Sequence, residues 1–323
     1  MLFVRGACVA LTVWVFAAAN YAARAQEWPN KPVKIVVAFA PGGTADLFAR
    51  LLAPELSKTF GQQFYVENRP GSSGTAGSAF VARAEPDGYT LLIGGSGPHL
   101  TAPAINPNVG YDPLADFTHI GMIGGDTYAL VAHPDLGVRS VPDLVKLAQQ
   151  RPVTCASPGP GSLGHLIQEQ LRLAAELKLQ HVPFRGAGEG MSSLLGNHVS
   201  LAIMPLVSTG EQIRAGTVVP LAVTATERHP AFPAIPTFAE FGYPEVRGTT
   251  WFWLAGPKNL SADVVDRLAQ EVRRLVKDSA MQQRFAADAI LTMESDRQAL
   301  NRFLAEEIAF WGALARKLGL KVQ

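Results

Sequence analysis

The feature that most constrains this chain is an apolar run, residues 33–39, that ends in the glycine turn Ala40-Pro41-Gly42-Gly43-Thr44-Ala45-Asp46. Leu47, Leu51, Leu52 and Leu56 follow at helical spacing, so the segment predicts a strand, a tight turn and a helix over 46–59. A helix that starts where a strand ends aims free backbone N–H groups, and the positive end of its dipole, at one spot. Such a spot suits an anion. The chain repeats the device at Pro70-Gly71-Ser72-Ser73-Gly74 and at Pro158-Gly159-Pro160-Gly161-Ser162-Leu163-Gly164. Ser96 adds a hydroxyl where a third strand, 90–93, ends.

Strand-like and helix-like runs alternate along the chain, which predicts an α/β fold with mostly parallel sheets. Strands are expected at 63–67, 117–123, 128–133, 153–156, 181–184, 199–204, 218–224 and 249–255. Helices are expected at 75–84, from Val141, at 163–177, at 211–214, after Ser261 and at 298–318. Gly124-Gly125-Asp126 separates two apolar runs and reads as a bend. The arrangement predicts two α/β lobes joined by two crossings: residues 26–125 with 249–323, and residues 126–248. Ligands of open α/β sheets sit beyond the carboxyl ends of the strands, where these glycine loops lie. Two facing lobes would set the loops on opposite walls of one cleft, closed by a hinge motion.

The first 25 residues read as a cleavable export signal. Arg5 is a short basic start, residues 7–19 are apolar, and Ala23-Arg24-Ala25 is an A-x-A cleavage site. The apolar run is short for a membrane anchor, and Asn20 and Arg24 interrupt it. Cleavage removes Arg5 and Arg24 from 28 basic residues, leaving 26 against 27 acidic ones. A near-neutral chain has no electrostatic footprint for nucleic acid or an anionic membrane surface. Cys8 lies in the signal, so Cys155 stands alone and reads as a small apolar residue on a buried strand. An exported chain does not bring a cytosolic cofactor with it, and none is expected.

Other chemistries fit poorly. Gly159-x-Gly161-x-x-Gly164 has the dinucleotide spacing, but the next strand ends in Arg185 where that motif places an acid. Neither Ser96 nor Ser162 sits in a G-x-S-x-G elbow, so a serine hydrolase using Ser162 and His165 is the weaker reading. The seven histidines show no metal-ligand spacing. Arg185 offers a fork for a carboxylate, with a solvated loop arginine as the plain alternative. Trp251 and Trp253 share one strand face, for the core or for a cleft wall.

Seven segments then occur in order: P-G-G-x-x-D-x-x-A-R at 41–50, E-N-R-P-G at 67–71, A-x-x-x-P-D-G-Y-T-L-L at 82–92, S-P-G-x-G-S-x-x-H-L at 157–166, V-P-F-R-G at 182–186, L-A-V-T at 221–224 and I-P-T-F-A-E-F-G at 235–242. Together they resemble the extracytoplasmic solute-binding receptors of tripartite tricarboxylate transporters, the Bug-type receptors. The resemblance implies a two-lobed periplasmic-binding fold of type II, the Venus flytrap, and a periplasmic, monomeric receptor. It implies capture of a small di- or tricarboxylate, or an aromatic carboxylate, for delivery to a membrane permease. A ligand sensor docking on a membrane signalling protein would use the same cleft. Carried onto this chain, one lobe contributes Ala40, Pro41, Gly42, Gly43, Thr44, Asp46, Ser72, Ser73, Gly74 and Ser96. The other contributes Gly161, Ser162, His165, Arg185, Gly186 and the loop from Met204. The family often carries G-x-V-D before that last strand, where this chain has Ser200. Ser200 and the bulky Met204-Pro205-Leu206 imply a distal pocket more apolar than a citrate site needs.

Overall fold

The computed structural model describes residues 28–106, 108–293, 295–317 and 319; the export signal expected at 1–25 lies outside them. The chain opens with β1 (Val33–Val37), α1 (Thr44–Phe60), β2 (Phe64–Asn68), α2 (Thr75–Ala82) and β3 (Thr90–Gly95). A π turn (Gly97–Thr101) and the short α3 (Ala102–Ile105) lead to a long β4 (Phe117–Ala132). Next come α4 (Val141–Gln150), β5 (Val153–Ser157), α5 (Leu163–Ala174), β6 (Leu179–Pro183), α6 (Ala187–Leu195), β7 (Leu201–Pro205), α7 (Leu206–Arg214) and β8 (Val219–Val223). The chain returns through β9 (Thr249–Pro257) and ends with α8 (Ala262–Lys277), α9 (Ser279–Ala287), β10 (Ile290–Leu291) and α10 (Arg297–Lys317).

Two sheets share β4. The first runs β2-β1-β3-β9-β4, with β10 also on β4; the second runs β4-β7-β5-β6, with β8 also on β4. β1 is parallel to β2 and β3, and β5 to β6 and β7, as helical crossovers dictate. β4 and β9 carry the chain between sheets without such a crossover, and every pairing they make is antiparallel. The sheets are therefore less uniformly parallel than the alternation predicts.

The bend expected at Gly124-Gly125-Asp126 is absent. β4 runs unbroken for 16 residues, with register shifts between His119 and Gly121 and between Met122 and Gly124. These glycines serve packing instead. A Cβ on Gly125 would lie 2.5 Å from the Trp251 ring, and one on Gly124 would lie 2.8 Å from the Leu291 carbonyl oxygen. Residues up to Thr127 pair with β9, while Tyr128 to Ala132 pair with β7 and β8.

α1 and α8 cover the first sheet with Leu52, Leu56, Val265, Leu268 and Val272, all buried at the spacing the sequence shows. Phe48 packs between Phe252 and Phe285, with ring centroids 5.3 and 5.5 Å away. Each such buried side chain contributes about 1.5–3 kcal/mol. α10 buries Leu300, Leu304 and Trp311, and the Trp311 indole N–H donates to Glu307 at 2.8 Å. Cys155 is fully buried on β5, where burial pushes its thiol pKa up and leaves it inert. No helix among the described residues is long and apolar enough to cross a membrane.

Candidate anion-binding cleft

The turns after β1, β2 and β3 gather around one ring, the half-buried Phe39. A Cβ on Gly74 (φ +90°) would meet Phe39 Cζ at 2.9 Å, and one on Gly97 would meet the same atom at 3.4 Å. Gly74 therefore needs both its positive φ and its missing side chain. Ala40, Pro41, Gly42, Gly43, Ser72 and Ser73 are exposed around this ring.

The second sheet repeats the arrangement around Phe184. A Cβ on Gly159 would lie 3.1 Å from the Phe184 carbonyl oxygen, and one on Gly190 3.4 Å from its ring. The Phe184 N–H donates to the Ser157 carbonyl at 3.1 Å. The two groups of loops meet where a Cβ on Gly161 (φ +71°) would fall 2.1 Å from Ile105 Cδ1. Neither Phe39 nor Phe184 stands out in the sequence, because each reads as the last apolar residue of a strand.

The helix starts differ in one respect that bears on ligands. α4, α8 and α9, away from the loops, are capped by the side chains of Ser140, Ser261 and Asp278. α1, α2, α6 and α7 start at Gly43, Gly74, Gly186 and Pro205 with no side-chain cap. At α1 and α6 the first N–H groups are left for water or for an anion, whereas at α2 the Ala76 N–H donates to the Gly71 carbonyl and at α7 the Val207 N–H donates to Asp126. α5 is the exception, since Ser162 Oγ accepts from the His165 N–H at 3.3 Å.

Several side chains named from the sequence turn inward. The buried Asp46 carboxylate accepts from the Gly42 N–H at 2.9 Å, from Arg50 at 2.8 Å and from Asn68 at 3.0 Å. Burial alone would raise its pKa, and these donors outweigh it and hold it below the usual range. Asp46 thus folds the first turn, with its oxygens already taken by the protein's own donors. Ser96 Oγ is spent on the backbone of Trp251, accepting from its N–H at 2.8 Å. Met204 is fully buried, with its Cε 2.1 Å from where a Gly190 Cβ would sit, so it packs under α6 and is not a cleft wall. Ser200 lies at the opposite end of β7, where its N–H donates to Thr154 Oγ1 at 2.9 Å. Ser200 thus supports the sheet, and of the residues behind the expected apolar distal pocket both Ser200 and Met204 are taken up by packing within the lobe. Arg185 is exposed, and its N–H donates to the Glu189 carboxylate at 3.0 Å.

Ser162 and His165 do not form a nucleophile–base pair. Ser162 Oγ donates to the Gly159 carbonyl at 2.7 Å, and His165 Nδ1 accepts from the Gly161 N–H at 3.1 Å. Nδ1 as acceptor places the proton of the neutral ring on Nε2. His165 stacks on His181 at 3.9 Å, and His181 Nε2 bonds Ser157 Oγ at 2.6 Å. Burial lowers both imidazoles; Glu169 opposes it at His165, while the proximity of His165 adds to it at His181, which falls to about 4. The Ser157–His181 contact depends on parallel register between β5 and β6, which spacing alone does not reveal. Ser162→Ala is expected to cost about 1 kcal/mol in a denaturant melt, as a lost helix cap does. A loss well above that would contradict a capping role.

Asp126, which reads as part of a bend in the sequence, has a different place in the fold. It is buried on β4, where its Oδ2 accepts from Thr44 Oγ1 at 2.8 Å and its Oδ1 from the Val207 N–H at 3.4 Å. The signal was present: it is the acid inside the apolar stretch 117–132. Elsewhere, a groove of about 800 Å3 lies between α1, α8 and α9. Its Arg50, Arg274 and Arg284 are already paired with Asp46, Glu271 and Asp288. Among the described residues no cluster of His, Cys, Asp and Glu gathers as metal ligands would.

Two α/β units with facing, ligand-ready loops define a two-lobed binding protein. Residues 48–320 match the model of the tripartite tricarboxylate transporter family receptor, TctC, and the chain belongs to that family. It is 32% identical over 302 residues to Protein BugT of Bordetella pertussis, covering 93% of each chain. The solved structure of R. palustris Rpa4515 with adipate superposes with a TM-score of 0.86 at 33% identity, over 91% of this chain and 99% of that one. MatC (Rpa3494) of Rhodopseudomonas palustris with bound malate gives 0.80 at 28% identity, over 89% and 99%.

Proposed function

We propose that this protein is a periplasmic receptor that closes two lobes on a small organic carboxylate and hands it to a membrane permease. The lobes would be residues 26–125 with 249–323 and residues 126–248, hinged where β4 and β9 pass between sheets. The observation that carries this reading is the set of uncapped helix starts at Gly43, Gly74 and Gly186, on loops that face one another from two sheets. Backbone N–H groups at Gly43 and Thr44, the hydroxyls of Ser72 and Ser73, and the turns at Gly161 and Gly186 would hold a carboxylate. The neutral His165 supplies a further donor at Nε2. Charge-assisted bonds of this kind are worth about 1.5–3 kcal/mol each, so a few suffice for micromolar binding after ordering costs. The adipate and malate bound to the two relatives point to a dicarboxylate.

Gly43→Asp tests the site. Gly43 has N-cap geometry (φ −90°, ψ 172°), and nothing lies within 4 Å of a Cβ placed there. The new carboxylate would cap α1 and fill the anion position with the chain's own charge. Apo stability is expected to stay level or rise by a few tenths of a kcal/mol. Affinity for adipate or malate is expected to fall at least tenfold by calorimetry; unchanged affinity would remove Gly43 from the site.

A further inference from the structure

Asp126 joins the N-terminus of α1, through Thr44, to the N-terminus of α7, through Val207. Thr44 belongs to the first lobe and Val207 to the second, while Asp126 sits on the strand that passes between them. One carboxyl group thus bridges both walls of the cleft. We propose that Asp126 is a proton-linked latch: it ties the lobes together through these contacts, and closure on an anion takes up one proton from solvent onto its carboxylate. The capture half of this proposal rests on the carboxylate-receptor reading; the latch half does not.

Asp126 and Val207 both fall within residues 126–248, so opening the lobes would break the Thr44 bond and let water reach the carboxylate, which is then ionised at neutral pH. Closing them buries it between donors that carry no full charge. From α1 it faces the Thr44 hydroxyl, and from α7 the N–H groups of Leu206 and Val207. On β4 its titratable neighbour is Tyr128, a buried phenol whose pKa is raised first by burial and also by Asp126, so that it stays neutral. Across β4 its register partners are Thr250 on β9 and Ile290 on β10. No cation pairs with it among the described residues. Burial raises its pKa to about 7, more than the Thr44, Val207 and Leu206 bonds lower it. The closed protein therefore binds a proton between roughly pH 4 and 7 that the open one lacks. An anionic ligand in the same cleft acts in the same direction. In this step the buffer acid loses the proton and a carboxyl O–H bond forms.

Calorimetry with adipate as probe, in buffers of differing ionisation enthalpy, reads the proton directly. At pH 6.5 up to roughly three-quarters of a proton, less the share that the ligand-free closed form already holds, should enter per adipate bound, and almost none at pH 8.5. Affinity should be roughly tenfold tighter at pH 6 than at pH 8.5. Asp126→Asn should flatten the profile, and Thr44→Val, which removes one donor, should move its midpoint to higher pH. A flat wild-type profile overturns the proposal, as does proton uptake that survives Asp126→Asn and so belongs to the stacked His165–His181 pair. If no carboxylate binds, the receptor reading fails separately, and small-angle scattering of the ligand-free protein decides the latch. The radius of gyration should rise from pH 6 to pH 8.5 in the wild type and not in Asp126→Asn; an unchanged wild-type value overturns it.

Discussion

Gly164→Ala is expected to lower folding stability by about 3 kcal/mol, at the upper end of overpacking costs. Gly164 lies in the first turn of α5, and a Cβ there would fall 2.7 Å from the Ile203 carbonyl oxygen and 2.8 Å from Pro158 Cδ. Ile203 sits on β7, pinned between β4 and β5, so its carbonyl cannot give way. Gly188→Ala is the control. Gly188 is helical too, but nothing lies within 4 Å of its Cβ position, so alanine should add up to about 1 kcal/mol. Denaturant melts of both variants check the pair, and equal effects would contradict the packing argument. The third glycine of the G-x-G-x-x-G spacing thus seats a helix against a sheet. That is the role such a glycine has in dinucleotide folds, here without the nucleotide.

Acidification is the second large effect, and it has two opposing parts. His99 and His119 are buried beside Trp253, with ring centroids 5.2 and 5.9 Å from it. Burial lowers their pKa values to about 3 and about 4. The folded rings stay neutral while the unfolded ones take protons near pH 6.5. Stability is therefore fully present above pH 6.5 and is lost as pH falls toward 4. From pH 7 to pH 5 the two together cost about 4 kcal/mol. Asp126 has the opposite sign. Its folded pKa is raised, so it favours the folded state as pH falls through 7, by about 2 kcal/mol over the same interval. Over this interval Asp126→Asn should lose about 2 kcal/mol more than the wild type, read from denaturant melts at both pH values. A variant no steeper than the wild type would contradict the assignment.

How far the sequence could be read depended on whether a residue acts locally or across the fold. The serines at 261 and 162 mark helix starts because capping is a contact with the next turn. The faces of α1, α8 and α10 follow from spacing alone. α7 is longer than expected because Leu206-Val207-Ser208-Thr209-Gly210 has weak helix propensity, and packing against β4 and β7 decides it. The glycine loops of the cleft were legible as strand-to-helix turns. Which way their side chains point was not. Asp46, Ser96 and Met204 have residue types that suit a ligand, yet each is claimed by a contact with a neighbouring segment. Asp126 was masked by the opposite error. Two glycines beside it suggest a turn, when they are there to admit the Trp251 ring and the Leu291 carbonyl.

The central claim, capture of a small carboxylate between the two lobes, is tested most directly by one titration. The purified protein would be melted with a series of mono-, di- and tricarboxylates that includes adipate and malate. Saturable stabilisation by a dicarboxylate is expected, about 2.7 kcal/mol at a concentration 100 times its Kd, and Gly43→Asp should cut it to about 1.4 kcal/mol or less at the same concentration. No stabilisation by any carboxylate, or equal stabilisation of the wild type and Gly43→Asp, would contradict it.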